Sequence, residues 1–154
     1  MEVVPTPGRD YTVLIDYAHT PDALENVLQT VRDFAPGRVI AVFGCGGDRD
    51  RTKRPQMGAI AARLADVAVV TTDNPRTEEP AEIIRQILAG MPRREGVVTV
   101  ENRVEAIGWA LDHAGRGDIV VLCGKGHETD QEIGSEIYPL DEREVVAEYL
   151  AACR

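Results

Sequence analysis

Short runs of β-branched and other apolar residues alternate along the chain with stretches whose apolar residues recur at helical spacing. Five of the apolar runs predict strands, at residues 12–15, 39–43, 67–71, 97–100 and 119–123. Strands that alternate with helices in this way indicate a parallel sheet covered by helices. A polar stretch around residues 133–138, broken by a glycine, predicts a further strand at the edge of the sheet. The pattern therefore predicts an α/β fold.

The predicted helices begin at recognisable start signals. Thr20 is placed to cap a helix that opens with Pro21, and Pro80 opens another. Asn102 and Asp141 each precede a glutamate by three residues, a spacing typical of helix caps. One face of the first helix is apolar and is predicted to be buried; it consists of Leu24, Val27, Leu28, Val31 and Phe34.

Length and composition narrow the class of protein. The 154 residues suit one domain, and 44% hydrophobic with 28% charged residues is typical of a soluble globular protein. No apolar run is long enough to span a bilayer and the amino terminus lacks a secretory signal, so we expect a cytoplasmic protein with no membrane partner. A net charge of −9 argues against a nucleic-acid partner.

The cysteines predict neither a disulfide framework nor a zinc site. Cys45, Cys123 and Cys153 are odd in number, and none of them forms a C-x-x-C pair. We therefore expect buried or reduced thiols.

Polar loops directly follow four of the predicted strands. They begin at Asp16, Gly44, Asp73 and Gly124. The carboxyl ends of parallel strands lie along one edge of an open sheet, where ligands bind in the crevice between the loops. We therefore expect these four loops to converge on one binding site.

The loop D-N-P-R at residues 73–76 places an anion, an amide and a guanidinium around a proline that fixes the local backbone. Such a set of groups suits a zwitterionic ligand. An ordinary Asx-Pro turn with a solvated arginine is the alternative that turn chemistry leaves open.

The loop G-K-G-H-E at residues 124–128 combines two glycines, which let the backbone approach a ligand, with Glu128, whose carboxylate can hold an ammonium group. A flexible turn between a strand and a helix is the alternative.

The chain has only two lysines, Lys53 and Lys125, and both lie in glycine-bearing loops, which hints at sites that require an ammonium group. Chance in a chain rich in arginine explains this placement equally well.

The glycine-rich loop after the second predicted strand concentrates positive charge that can receive carboxylates or phosphates, on Arg49, Arg51, Lys53 and Arg54. The Walker A pattern is absent from the chain, so no triphosphate is cradled by that mechanism.

In the first loop, Asp16 and His19 can bond to a sugar hydroxyl or a base edge, and His19 can equally form a local bond at the helix start. No catalytic series or metal-ligand spacing stands out. The residues by themselves predict a binding domain for a small zwitterion.

Four segments of the chain also resemble the motifs of a known family. They are, in order, D-Y-A-H-T-P-D-A-L-E, G-C-G-G-D-R-D, D-N-P-R-T-E-E-P and G-K-G-H-E. Together they resemble the carboxy-terminal domain of the Mur ligases, most closely the diaminopimelate-adding members, from Asp16 to the last predicted helix. The resemblance implies a Rossmann-like three-layer α/β sandwich, with a mostly parallel sheet of about six strands and an antiparallel edge strand. It also implies that residues 1–154 are one domain, with the amino-terminal UDP-sugar-binding and central ATPase domains absent from this chain.

The resemblance implies an ATP-dependent ligase of peptidoglycan precursor synthesis. Members of the family use ATP and Mg²⁺ to phosphorylate a carboxylate on a UDP-N-acetylmuramoyl peptide, and the amine of an incoming amino acid attacks the acyl phosphate to form an amide bond. This domain is implied to supply that amino acid, meso-diaminopimelate, to the UDP-N-acetylmuramoyl dipeptide. By itself it is expected to be inactive, and the complete enzyme is expected to be a monomer in the cytoplasm.

The resemblance also implies roles for individual residues. The positions matching the family's motifs for meso-diaminopimelate are Arg49, Asp73, Asn74, Pro75, Arg76, Gly124 and Glu128. Arg76 is implied to bind the distal carboxylate of meso-diaminopimelate. Glu128 and Asp73 are implied to bind an ammonium group of the same molecule. Asp16 and His19 are implied to lie near the nucleotide, and no catalytic or metal-binding residue is implied in this domain.

Two kinds of alternative remain. A lysine-adding or folylpolyglutamate-type ligase domain lies within the same superfamily, although D-N-P-R and G-K-G-H-E argue against both. A free-standing amino-acid or nucleotide-binding module belongs to a different class, because a fold alone does not fix function.

Overall fold

Eight strands and five helices make up the part of the chain that a computed structural model describes, residues 1–93 and 95–152. The strands are β1 (Glu2–Val4), β2 (Thr12–Asp16), β3 (Val39–Phe43), β4 (Val67–Val70), β5 (Val97–Thr99), β6 (Ile119–Cys123), β7 (Asp130–Ile133) and β8 (Glu136–Pro139). The helices are α1 (Pro21–Phe34), α2 (Lys53–Leu64), α3 (Pro80–Leu88), α4 (Arg103–His113) and α5 (Glu142–Ala152). None of these helices combines the length and the apolarity needed to cross a membrane.

Six of the strands form one sheet in the order β1-β2-β6-β3-β4-β5. All neighbours in it are parallel except β1, which pairs with β2 in the antiparallel direction. The prediction of a three-layer α/β sandwich with a mostly parallel sheet is therefore confirmed. β3 and β6 have the predicted bounds, and β2, β4 and β5 end within one residue of theirs. The carboxyl ends of β2, β3, β4 and β6 consequently lie along one edge.

The predicted edge strand at residues 133–138 is wrong. Gly134 has a φ of +63°, and the chain reverses there into a hairpin in which β7 pairs with β8. This hairpin forms a second, two-stranded sheet outside the main one. The antiparallel edge strand is β1, whose three residues are too few to produce a recognisable pattern in the sequence.

The core lies on both faces of the main sheet, and β3 shows how the sequence builds it. Val39, Ala41 and Phe43 belong to the buried cluster that includes α1, α2 and α3. Ile40 and Val42 belong to the cluster that includes α4 and α5. A central parallel strand is covered on both faces, which explains why β3 is a continuous apolar run.

The helix starts follow the sequence signals. The Thr20 side chain accepts a hydrogen bond from the Ala23 amide at 3.2 Å, and the Asn102 side chain accepts one from the Glu105 amide at 2.9 Å. The predicted burial of Phe34 is wrong, because 55% of this residue is exposed. Phe34 is the last residue of α1, where no further turn of helix follows to cover the ring.

Two cysteines are buried free thiols, as predicted. Burial raises the pKa of Cys45 and of Cys123 to about 12, so both are protonated at neutral pH and react poorly as nucleophiles. Cys153 lies outside the described residues.

Candidate functional site

A recess of about 390 Å³ opens at the carboxyl ends of the parallel strands. The loops that follow β2, β3, β4 and β6 all contribute to it. Its lining residues are Tyr17, His19, Cys45, Gly46, Arg49, Asp50, Lys53, Met57, Asp73, Asn74, Arg76, Gly124 and Glu128. The edge of the sheet therefore gathers side chains that are far apart in sequence.

The structure brings most of the predicted site residues into this recess. Those that line it are His19, Arg49, Asp73, Asn74, Arg76, Gly124 and Glu128. Pro75 is buried inside its loop instead. Asp16 lines a neighbouring recess together with Gly126 and His127. Sequence reasoning missed five of the lining residues, Tyr17, Cys45, Gly46, Asp50 and Met57.

Asp73 lines the recess, and one of its carboxylate oxygens is buried. Among the described residues, its buried Oδ1 has no hydrogen-bond partner, although the Lys125 ammonium lies 3.5 Å away and supplies an electrostatic contact. Gly124 leaves room beside the carboxylate: it has a φ of +116°, and a Cβ built there would lie 3.7 Å from the Asp73 side chain. Because Asp73 lines the recess, its carboxylate is placed to interact with a ligand ammonium group, which would offset the cost of burying the unpaired oxygen.

The orientation of Asn74 is fixed from below by Lys125. The Asn74 Oδ1 accepts hydrogen bonds from the Lys125 Nζ at 2.9 Å and from the Glu132 amide at 3.0 Å. Because both neighbours are donors, the oxygen must face them and the amide nitrogen is left as the donor of the pair. Lys125 is fully buried and also donates to the Asp130 carbonyl at 2.9 Å. Lys125 therefore supports the loop beneath the recess, where the sequence had suggested an ammonium group for a ligand site.

Arg76 is held in an unusual conformation at the side of the recess. Its φ is +52°, in the left-handed region that few residues with a side chain adopt. Its amide donates to the Glu132 carbonyl at 3.1 Å, and its carbonyl accepts from the Gly134 amide at 2.6 Å. The guanidinium Nη1 donates to the Gly47 carbonyl at 3.0 Å, and Nε lies 3.0 Å from the Glu132 carboxylate. The β7–β8 hairpin therefore fixes the backbone of Arg76, and Glu132 and the Gly47 carbonyl together orient its side chain.

A buried ion pair joins the first turn of α2, which also contacts the glycine-rich loop, to the loop after β4. Arg54 is 1% exposed and donates to the two carboxylate oxygens of Glu78 at 2.7 and 3.0 Å, and to the Gly46 carbonyl at 3.0 Å. Hydrogen bonds from Arg54 and, after the opposing effect of burial, from the Asp48 amide hold the pKa of Glu78 at about 2. The Arg51 guanidinium lies 3.2 Å from the same carboxylate.

This ion pair corrects the interpretation of the four cations as one anion-binding group. Arg54 and Arg51 are paired with an internal carboxylate, and only Arg49 and Lys53 line the recess. The sequence gives no sign of the difference, since the partner Glu78 lies in another loop.

Glycines allow the two loops to touch. A Cβ on Gly47 would lie 1.8 Å from the Pro75 carbonyl oxygen, and one on Gly44 would lie 2.3 Å from the Thr71 carbonyl oxygen. No side chain fits at such distances. Pro75 therefore serves as the backbone surface against which the glycine-rich loop packs.

A second buried ion pair lies beneath the recess. Arg103 at the start of α4 and Glu142 at the start of α5 have side chains with no exposed surface, and Nε of Arg103 donates to Glu142 at 2.7 Å. Arg103 also donates to the carbonyls of Cys123, at 2.9 Å, and of Thr72, at 3.4 Å. These carbonyls directly precede Gly124 and Asp73, so Arg103 ties together the two loops that carry them.

The residues expected near a nucleotide lie at the first loop. Asp16 accepts a hydrogen bond from the Ala18 amide at 2.9 Å, and its other oxygen lies 3.2 Å from the amino group of Met1. The His19 ring is exposed, contacts the Tyr17 carbonyl at 2.9 Å and packs edge-on against the Tyr17 ring. His19 therefore stands at the mouth of the recess and Asp16 outside it.

Known proteins share both the sequence and the fold. The chain is 57% identical over 138 residues to the UDP-N-acetylmuramoyl-L-alanyl-D-glutamate–2,6-diaminopimelate ligase of Thermosynechococcus vestitus, which covers 90% of this chain and 28% of the relative. The protein of that name from Caldanaerobacter subterraneus is 51% identical over 145 residues, with 94% and 30% covered. A solved structure of such a ligase matches with a TM-score of 0.93 at 40% identity, over 99% of this chain and 31% of that one.

The chain thus spans about three tenths of the length of these relatives. A bifunctional folylpolyglutamate synthase/dihydrofolate synthase of Yersinia pestis, 18% identical with a TM-score of 0.59, shares the fold alone. Residues 1–126 match the family model described as "Mur ligase, glutamate ligase domain". This match confirms the family resemblance that the four motifs carry, and the chain belongs to the Mur ligase family.

Proposed function

We propose that this chain is the amino-acid-binding domain of a ligase that adds meso-diaminopimelate to a UDP-N-acetylmuramoyl dipeptide, the activity for which its relatives are named. One observation carries the proposal: Arg76, Glu128 and the Asp73 carboxylate line the same recess. meso-Diaminopimelate has an ammonium and a carboxylate at each end, so it needs donors and acceptors together. The recess offers both.

The chemistry of each group suggests its role. We assign the distal carboxylate of the ligand to Arg76 and the amide nitrogen of Asn74, because a guanidinium and an amide are donors that match a carboxylate. An ammonium group of the same ligand is assigned to Asp73 and Glu128. Arg49 at the rim adds positive charge for a second carboxylate, and Gly124 leaves room for the ligand.

The reaction proposed for the whole enzyme is amide formation. The amine of the bound amino acid attacks the carbonyl carbon of an acyl phosphate, the new C–N bond forms, and phosphate leaves as the amine loses a proton. The role of this domain is to hold that amine in place, since correct placement alone accelerates such a step strongly.

ATP and Mg²⁺ would be held mainly by parts of a larger ligase outside this chain. The chain has no Walker A loop, and no group of three or more His, Cys, Asp or Glu side chains in its described part could hold a metal ion. Asp16 and His19 are the contribution to nucleotide binding that we propose for this chain. We accordingly propose that residues 1–154 form one domain of a cytoplasmic, monomeric enzyme and that they do not turn over substrate alone.

The substitution Arg76→Ala tests the proposal. We expect the chain to bind meso-diaminopimelate more tightly than lysine, which lacks the distal carboxylate, and we expect Arg76→Ala to weaken meso-diaminopimelate binding by about 10- to 100-fold while lysine binding changes little. Titrations followed by NMR amide shifts measure both affinities, even when they are weak. Arg85→Ala is the matched control, since Arg85 is an exposed arginine paired with Glu82 on α3. Unchanged discrimination in Arg76→Ala would contradict the assignment.

A further inference from the structure

Arg76 already has a carboxylate partner within the chain. Glu132 of β7 places a carboxylate oxygen 3.0 Å from the Nε of Arg76, and its own amide and carbonyl bind Asn74 and the Arg76 amide. The Glu132 side chain is 43% exposed and that of Arg76 is 23% exposed. The hairpin therefore places the partly exposed Glu132 carboxylate beside Arg76, the cation that we assign to the distal carboxylate of the ligand.

The Glu132 carboxylate lies against one of the edges of the guanidinium through which a ligand carboxylate can bind. A carboxylate binds arginine best through two parallel N–H bonds, and the Nε side of the group supplies one such edge. On the other side, Nη1 donates to the Gly47 carbonyl. A ligand carboxylate that approaches the Nε edge therefore meets the Glu132 carboxylate there, and one N–H of Nη1 is already bonded to the backbone.

The ion pair also borders a second recess. Arg76 lines the recess described above and a second one of about 360 Å³, together with Asn74 and Glu128. Glu132 lines only the second recess, across from Ile137 on β8. A Glu132 side chain that released Arg76 would thus have open space in the second recess.

We propose that Glu132 is an internal competitor for Arg76 that the distal carboxylate of the incoming amino acid must displace, and that it thereby contributes to selectivity. This inference rests on the proposed function. A dicarboxylic amino acid replaces one anion on Arg76 by another, whereas an amino acid without the distal carboxylate leaves the Arg76–Glu132 pair in place. The pair is suited to exchange because ion pairs that are partly exposed stabilise a protein only weakly.

The opposite role for Glu132 makes a different prediction. Glu132 could instead bind the distal ammonium group of the ligand, in which case it would favour meso-diaminopimelate directly. Removing its charge would then weaken binding. The sign of the change in affinity therefore distinguishes a competitor from a ligand-binding group.

Glu132→Gln, which keeps the size of the side chain and removes its charge, is the decisive variant. We expect meso-diaminopimelate to bind about two- to fivefold more tightly to Glu132→Gln than to the unmodified chain, and lysine to bind no more tightly. In the ligand-free protein, the Nε–Hε NMR resonance of Arg76 should shift. Glu136→Gln is the matched control, because Glu136 lies in the same hairpin, is exposed and removes the same charge. Weaker or unchanged binding in Glu132→Gln, or an equal gain in Glu136→Gln, would overturn the inference.

Acetate separates the inference from the proposed function, since it has a carboxylate but no amino-acid group. If the unmodified chain does not bind meso-diaminopimelate, the proposed function fails. An acetate titration, with chloride as the salt control, then still reports on Arg76. A larger acetate-induced shift of the Arg76 Nε–Hε resonance in Glu132→Gln than in the unmodified chain supports competition, and an equal shift overturns it.

Discussion

The two sides of the recess are built differently. The inner wall, residues 72–76 and 123–125, is mostly buried, and its polar groups are held by the interior: Asn74 by Lys125, and the carbonyls of Thr72 and Cys123 by Arg103. The outer wall, residues 46–53, carries Arg49 and Lys53 on exposed side chains. Within the described part of the chain, the Arg49 guanidinium donates a hydrogen bond to the neighbouring carbonyl of Asp48.

The fixed inner wall is suited to select a ligand by its shape, whereas the exposed outer wall mainly attracts it by charge. Groups that are fixed before a ligand arrives lose little freedom on binding and can reject a ligand with the wrong shape. Long exposed cations supply charge without a fixed geometry, and salt screens them. We therefore expect substitutions in the inner wall and its supports to affect both stability and selectivity, and substitutions in the outer wall to affect mainly affinity.

The largest effect is expected from the support of the inner wall. Arg103→Met leaves the buried Glu142 carboxylate without its partner and should lower the free energy of unfolding by about 3–5 kcal/mol. Urea denaturation measures this loss. A loss below 1 kcal/mol would show that the pair contributes little, and the inner wall would then not depend on it.

The double variant Arg103→Met/Glu142→Leu sharpens that test. It removes both buried charges, so much of the lost stability should return. The carbonyls of Thr72 and Cys123 still lack their donor, and we expect binding of meso-diaminopimelate to remain weakened while the fold is restored. Full recovery of binding would mean that Arg103 only stabilises the fold.

The next largest effect is expected from the ion pair between Arg54 and Glu78. Glu78→Gln should lower the free energy of unfolding by about 1–3 kcal/mol at neutral pH, because it weakens the charge-assisted bonds from Arg54. The pKa of Glu78 is lowered from 4.5 to about 2 in the folded protein, so its contribution is fully present above pH 4.5 and is lost as the pH falls towards 2. Denaturation of both proteins across this range should show their difference shrinking as the pH decreases. A constant difference would exclude the ionised carboxylate as its source.

The smallest effect is expected at the outer wall. Arg49→Ala should change the free energy of unfolding by less than about 0.5 kcal/mol, as for most exposed positions. It should weaken meso-diaminopimelate binding about two- to fivefold, with the loss fading as sodium chloride is raised. Unfolding curves and titrations at two salt concentrations measure both quantities. A loss independent of salt would place Arg49 among the fixed groups and remove the distinction between the walls.

The convergence of four loops followed from sequence because it depends on a general property of parallel sheets. Asp73 and Gly124 directly follow buried strands, so they had to meet at one edge. The cap at Thr20 was equally accessible, since it depends on residues close in the chain. Local patterns and the common direction of the strands were thus enough to predict the fold and most of the residues that line the recess.

The supports of the site could not be predicted, because they join residues that are distant in sequence. Arg54 and Lys125 were expected to face a ligand and Arg103 carried no expectation, yet each of the three is buried with an internal partner. The position of Glu132 depends on a hairpin whose strands were read as one edge strand. A charged residue gives no sign of its burial until its partner is known.

The contact between Gly47 and Pro75 sets a rule for redesign. Since the backbone of one loop fills the space that a side chain on the other would require, neither segment can be exchanged alone without moving its neighbour. A graft intended to accept another amino acid should therefore transfer residues 44–49 and 71–78 together, as one cassette.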